Sequence, residues 1–220
     1  MADFFHDRID AGNRLAEKLL AYHARPNTMI LALPRGGVPV AYPVAKRLKL
    51  PLDVFLVRKL GVPYPGHEEL AMGAIALGGI KVFNQEVIQA MDIPEQLIEA
   101  EIIKEQQVLE SRAVLYRGNK NPLNLTNKTV ILIDDGIATG ATILSAVKAL
   151  HEKACKRIIM AIPVAPQSTL DKLSNEVNEI VCLRTPKDFF AIGSWYQDFS
   201  QTTDAEVQSL LHKSSQYKAD

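Results

Sequence analysis

The chain has 220 residues, 47% hydrophobic and 23% charged, enough apolar material for one domain with a real core. Its 25 basic and 25 acidic residues cancel, so no overall positive field draws it to nucleic acid. No run of about 18 apolar residues is present to span a bilayer. The opening MADFFHDRID lacks the apolar stretch of a secretory signal, and Cys155 and Cys182 form no disulfide framework, so a cytoplasmic protein with reduced thiols is expected.

In chain order, residues 7–24 read as an amphipathic helix with Ile9, Leu15, Leu19 and Leu20 on one face. The short apolar run 28–33 is a buried strand that breaks at Pro34-Arg35-Gly36-Gly37, and helical periodicity resumes over 38–48. Residues 52–57 are the next strand, with Arg58 and Lys59 at its end. This is the strand–turn–helix–strand order of a parallel sheet. Residues 61–79 begin rich in Gly and Pro and read as a mobile loop leading into a short antiparallel strand pair. A short helix is expected over 84–91. Pro94 then opens a long charged helix to about 116, with glutamates early and Arg112 and Arg117 late, as the helix dipole favours. After a polar stretch come strand 130–133, helix 141–151, strand 157–162, helix 168–173, strand 177–183 and a last helix over 204–212.

The segment Val130 to Thr142, VILIDDGIATGAT, carries the most chemistry. Four apolar residues without alternation describe a strand covered on both faces. They put Asp134 and Asp135 at its carboxyl end, where open α/β sheets bind ligands. The small-residue turn Gly136–Thr142 offers free backbone N–H groups and the hydroxyls of Thr139 and Thr142 at a helix N-terminus, a ready anion site. Two carboxylates beside an anion cradle describe a ligand with both sugar hydroxyls and a phosphate. Neither GxxxxGK[ST] nor GxGxxG occurs, so nucleotide-hydrolase and dinucleotide readings lack support. At Pro34-Arg35-Gly36-Gly37 two glycines let the backbone approach an anion, and Arg35 supplies a planar cationic fork.

An apolar strand, an acidic pair and ATGxT resemble the phosphoribosyl-diphosphate (PRPP) motif of type I phosphoribosyltransferases. PRGGVPVA, LVRKLGVP, AMGAIALGG, the YRG before the motif strand and AIGSWYQDFSQTTDAEV extend the resemblance over the chain, to the bacterial "predicted phosphoribosyltransferase" family. It implies an α/β fold of that type in a single domain, 1–220. A parallel core sheet would be flanked by helices, with a flexible loop 61–79, a helical insertion 84–117 and a C-terminal hood segment 184–203. It implies that Asp134 and Asp135 hold the ribose 2′- and 3′-hydroxyls. Gly136, Ala138, Thr139, Gly140, Ala141 and Thr142 would wrap the 5′-phosphate. Arg35, Gly36 and Gly37 would meet the diphosphate, with Arg35 catalytic in stabilising it as it leaves and a cis peptide expected between Pro34 and Arg35, while Arg58 and Lys59 would help hold the diphosphate or the incoming substrate. Glu68 and Glu69, beside His67 in the loop, are acid–base candidates, since Ala138 replaces the aspartate that many six-oxopurine enzymes carry there. Phe189, Phe190, Ile192 and Trp195 would face the base. Asp134, Asp135 and Asp198 would serve Mg²⁺.

The activity implied is Mg²⁺-dependent transfer of a phosphoribosyl group from PRPP to a nitrogen acceptor, a nucleobase or related heterocycle, with release of diphosphate. The expected partners are PRPP and a small acceptor, with no nucleic acid or membrane and with a homo-oligomer, a dimer, as the assembly. One alternative is a regulator that binds PRPP without turning it over. The other is a PRPP synthase-like or phosphatase fold, which would need a nucleotide site that the sequence does not show.

Overall fold

The computed structural model describes residues 4–67, 70–118 and 120–216. Its elements in chain order are α1 (Arg8–Lys18), β1 (Thr28–Ala32), α2 (Gly37–Leu48), β2 (Leu52–Val54), β3 (Val57–Gly61), β4 (Ala71–Ala76), β5 (Ile80–Phe83), α3 (Gln85–Ala90) and α4 (Glu95–Arg117). They continue with β6 (Thr129–Ile133), α5 (Ala141–Glu152), β7 (Arg157–Val164), α6 (Gln167–Leu173), β8 (Glu179–Arg184) and α7 (Asp204–Ser215).

Five strands form a parallel sheet in the order β2-β1-β6-β7-β8. Every residue of β1 and β6 is buried, which is why neither shows polar alternation. The period of two divides their side chains between two layers. Ile30, Ala32, Ile131, Ile133, Ile159 and Ala161 pack with α1, α2 and α7. Leu31, Val130, Leu132, Met160 and Ile162 pack with α5 and α6. From β1 the chain winds outward to β2, and from β6 it winds the other way through β7 to β8. The order therefore reverses between β1 and β6, and the crevice outside their carboxyl ends is where such a sheet takes its ligand.

The second sheet is antiparallel, β3-β4-β5, and lies between α4 and α5. This corrects the expected strand over 52–57. The parallel strand stops at Val54, and Val57–Gly61 belongs to the other sheet, so Arg58 and Lys59 sit inside β3 rather than at the end of a core strand. Phe55 and Leu56 make the crossing with both side chains buried, and a continuous apolar run hides the change. The first helix is also shorter than its pattern suggests. It ends at Lys18, is followed by a 3₁₀ turn, and buries Leu15 and Leu19 while Ile9 and Leu20 are exposed.

Helix α4 packs through Ile102, Glu105, Leu109, Tyr116 and Arg117. Its last turn is anchored by Arg117, whose guanidinium pairs with Asp53 on the edge strand β2 at 3.1 and 3.3 Å. The segment before α1 packs against the segment after β8. Phe5 bridges to Tyr196, and Asp198 N–H donates to the carbonyl of His6 at 2.9 Å. No helix among the described residues is long and apolar enough to cross a membrane.

Candidate active site

The loop after β1 and the loop after β6 meet at the point where the sheet reverses. Leu33 N–H donates to the carbonyl of Ile133 at 2.9 Å, which holds the two strand ends together. Approach beyond that point is close enough to demand glycine. A Cβ on Gly37 would lie 2.7 Å from the Ile133 oxygen, and one on Gly36 would lie 2.0 Å from Asp135 Oδ2. The Pro34–Arg35 peptide bond is cis, the isomer that the resemblance implies. Arg35 is partly exposed at the rim, with its nearest described carboxylate Asp204 at 3.9 Å.

Asp134 and Asp135 sit at the carboxyl end of β6. Burial pushes the Asp134 carboxyl well above its usual range, and the neighbouring charge of Asp135 adds to this. Burial also raises Asp135, opposed by Arg8. Arg8 Nε donates to Asp135 Oδ2 at 2.8 Å, and the hydroxyl of Tyr196 donates to the Asp135 carbonyl at 2.5 Å. Neither partner was visible in the sequence, since 127 residues separate Arg8 from Asp135 and 61 separate Tyr196 from it.

The turn after the pair leads into the N-terminus of α5. Gly140 has φ +82 and caps α5 with no side-chain hydrogen bond, so the first N–H groups of that helix stay open to a ligand. The turn is held from beneath: Thr169 Oγ1 donates to the Ala138 carbonyl at 2.8 Å, and Ile137 N–H donates to the Val164 carbonyl at 3.0 Å. Ala138, Thr139 and Thr142 are exposed, whereas Gly136 is covered by Ile192.

Thr142 also lines a cavity of about 630 Å³ with Arg58, Lys59, Tyr64, Glu101 and Glu105. Arg58 is engaged there by Glu105 at 2.5 Å. Glu101 and Glu105 of α4 form a wall of this cavity. Glu68 and Glu69 lie outside the described residues.

The hood aromatics divide. Phe189, Ile192 and Trp195 pack around Phe5 and Tyr196, and Trp195 lies 6.1 Å from Phe4 between ring centroids. The buried indole N–H of Trp195 finds no acceptor among the described residues. Phe190 is 91% exposed. Asp198 is exposed, and its Oδ1 accepts the Ser200 N–H at 2.9 Å. Among the described residues no three His, Cys, Asp or Glu side chains gather to hold a metal by themselves. A pair of carboxylates beside a phosphate cradle still suits Mg²⁺, which binds through one or two carboxylates and takes other ligands from water and substrate phosphates.

A family model described as the phosphoribosyl transferase domain matches residues 3–198. The chain belongs to this family. Two Mycobacterium tuberculosis relatives, provisionally named phosphoribosyl transferases, are 40% identical over 209 residues, covering 95% of this chain and 46% of theirs. The chain thus spans about half the length of these curated relatives. A crystal structure from Thermus thermophilus superposes with a TM-score of 0.84 at 38% identity, covering 96% of this chain and 98% of the other. One from Aquifex aeolicus, at 11% identity and a TM-score of 0.52, covers 84% of this chain and 78% of its own and shares the fold. The parallel sheet with its small antiparallel companion is the phosphoribosyl transferase architecture in this chain.

Proposed function

We propose that the protein transfers the phosphoribosyl group of PRPP to a nitrogen of a heterocyclic base, releasing diphosphate, with Mg²⁺ bound. The observation that carries this reading is the meeting of three groups at one crevice: the Arg35 loop, the acidic pair and the open amides of α5. They match the diphosphate, the ribose hydroxyls and the 5′-phosphate of a single ligand. Asp134 and Asp135 orient the sugar ring, and their charge favours the cationic character that develops at C1. Arg35 receives the departing diphosphate. Asp134 or Asp135 would hold Mg²⁺ together with the substrate, and the ion would supply further charge neutralisation on that leaving group. A ring nitrogen of the acceptor attacks C1 and the bond to diphosphate breaks, the electron pair leaving with it. The acceptor's proton passes to Glu68 or Glu69.

The acceptor stacks on Phe190, whose ring is exposed. Replacing Phe190 with alanine weakens the apparent affinity for the acceptor by roughly 1–3 kcal/mol, the worth of stacking on a base, and leaves PRPP affinity nearly unchanged. With its ring so exposed, the melting temperature stays close to wild type. Titrating acceptor and PRPP separately checks this, and equal losses for both would count against the role.

The reading as a whole is tested without knowing the acceptor. PRPP with Mg²⁺ at about a hundred times its dissociation constant stabilises the fold by roughly 2.7 kcal/mol. For a chain of this size that is a rise of about 5–10 °C in melting temperature. ATP or ribose 5-phosphate at the same concentration gives clearly less, because each lacks part of the pattern, and removing Mg²⁺ shrinks the PRPP effect. A shift with ATP and none with PRPP would overturn the reading. Diphosphate release across a panel of bases and amines then separates an enzyme from a PRPP-binding regulator.

A further inference from the structure

We propose that Arg8 is the positioning residue of the acidic pair, holding Asp135 from helix α1 in the orientation that receives a ribose hydroxyl. The inference rests on PRPP being the ligand of this crevice.

One guanidinium makes three engagements. Its Nε donates to Asp135 Oδ2 at 2.8 Å, its Nη1 donates to the carbonyl of Ser200 at 2.7 Å, and its central carbon lies 3.9 Å over the ring of Phe199. The Arg8 and Asp135 side chains are 11% and 14% exposed. The contact is therefore inside the protein, where a charge-assisted hydrogen bond is directional and holds its geometry. A Cβ on Gly36 would come within 2.0 Å of Asp135 Oδ2 and 3.2 Å of Arg8 Nε, so the diphosphate loop closes on the same pair. Arg8 takes Oδ2 and leaves Oδ1 as the oxygen a hydroxyl uses. Asp134, next in the chain, has its Oδ1 bound to the Asp135 N–H at 2.9 Å. Without the guanidinium, two adjacent carboxylates in a buried crevice would repel, and Asp135 would turn away.

The arrangement differs from that of Arg35, which lies at the rim near Asp204. Arg35 is free to follow a departing anion, whereas Arg8 is fixed by stacking and by the hood carbonyl. It acts on the ligand through Asp135. A planar fork suits this task, and lysine, a point charge, reproduces only part of it.

The experiment is a double-mutant cycle read by PRPP binding in the presence of Mg²⁺, using calorimetry on the full chain. Arg8→Met is expected to weaken PRPP by about tenfold or more. In an Asp135→Asn background, itself weaker but measurable at millimolar PRPP, the same substitution is expected to cost less than about twofold, because Arg8 acts through that carboxylate. Arg8→Lys keeps the stem and the charge, so it also serves if the methionine variant folds poorly. It is expected to fall between wild type and Arg8→Met, with a melting temperature near wild type. Equal losses in both backgrounds would overturn the inference, since Arg8 would then act by packing the hood. So would unchanged affinity in Arg8→Met and Arg8→Lys, with wild type binding PRPP. If wild type binds no PRPP, the proposed function itself falls and takes this inference with it.

Discussion

Replacing Arg117 with methionine is expected to lower the unfolding free energy by about 3–5 kcal/mol, the cost of leaving a buried charge without its partner. Arg117 and Asp53 have side chains only 5% and 11% exposed. Arg117 also donates to the carbonyl of Asn121 at 2.7 Å, so it joins α4, the following loop and the edge strand β2. With the guanidinium gone, Asp53 keeps the Val54 N–H at 2.8 Å as its remaining donor among the described residues. For a chain of this length the loss corresponds to a fall of roughly 10 °C or more in melting temperature. Converting both positions to apolar residues, Asp53→Leu with Arg117→Met, is expected to recover most of it, because an apolar pair has no desolvation to offset. Urea unfolding of the single and double variants decides the matter. A single-variant loss below about 1 kcal/mol would mean that water reaches the carboxylate.

That pair shows where the sequence stops being readable. VILI followed by two aspartates is legible because both signals are local: an apolar run without alternation means two covered faces, and small residues after it mean a turn. The reversal of strand order between β1 and β6, which places that turn beside Pro34-Arg35-Gly36-Gly37, is not legible in this way, because the rules of parallel connection fix the hand of a crossover and not which strands become neighbours. Periodicity says which face of an element is buried, but not what lies against it. Arg117 is the last residue of a charged helix, and nothing nearby reveals that its counter-charge is 64 positions away. Arg8 was hidden for the same reason. The break at Phe55-Leu56 was hidden for another: both residues are buried in passing from one sheet to the other, so hydrophobicity runs through the change without a mark. Phe5 joining Tyr196 depends on two segments 191 positions apart meeting, which composition does not express.

Asn at both Asp134 and Asp135 is expected to abolish PRPP binding while moving the melting temperature little. A hydrogen bond to a charged group contributes about 1.5–3 kcal/mol. Losing the charge at two such acceptors therefore costs roughly two to four decades of affinity, at about 1.4 kcal/mol per decade. The fold should tolerate the change because the carboxylates are not what holds it. Burial and the adjacent charge of Asp135 raise Asp134 above its ordinary range. Between its unfolded value and that raised value the native state binds more protons than the unfolded state, so stability falls as pH rises through the interval. Above its ordinary range the Asp134 carboxyl thus works against folding, and an uncharged amide relieves it. At Asp135 burial also raises the carboxyl, but Arg8 opposes it, and the amide gives Arg8 a weaker acceptor than the carboxylate it now has at 2.8 Å. The two effects oppose, which is why a small net shift is expected. The stability of the double variant should also depend less on pH than that of wild type, with the difference in slope greatest between the unfolded and the raised native value of Asp134. Calorimetric titration with PRPP and Mg²⁺, paired with melting curves across pH, tests both halves. A variant that melts more than about 10 °C lower yet still binds PRPP would make the pair a structural element, and the crevice would have to hold its ligand by other means.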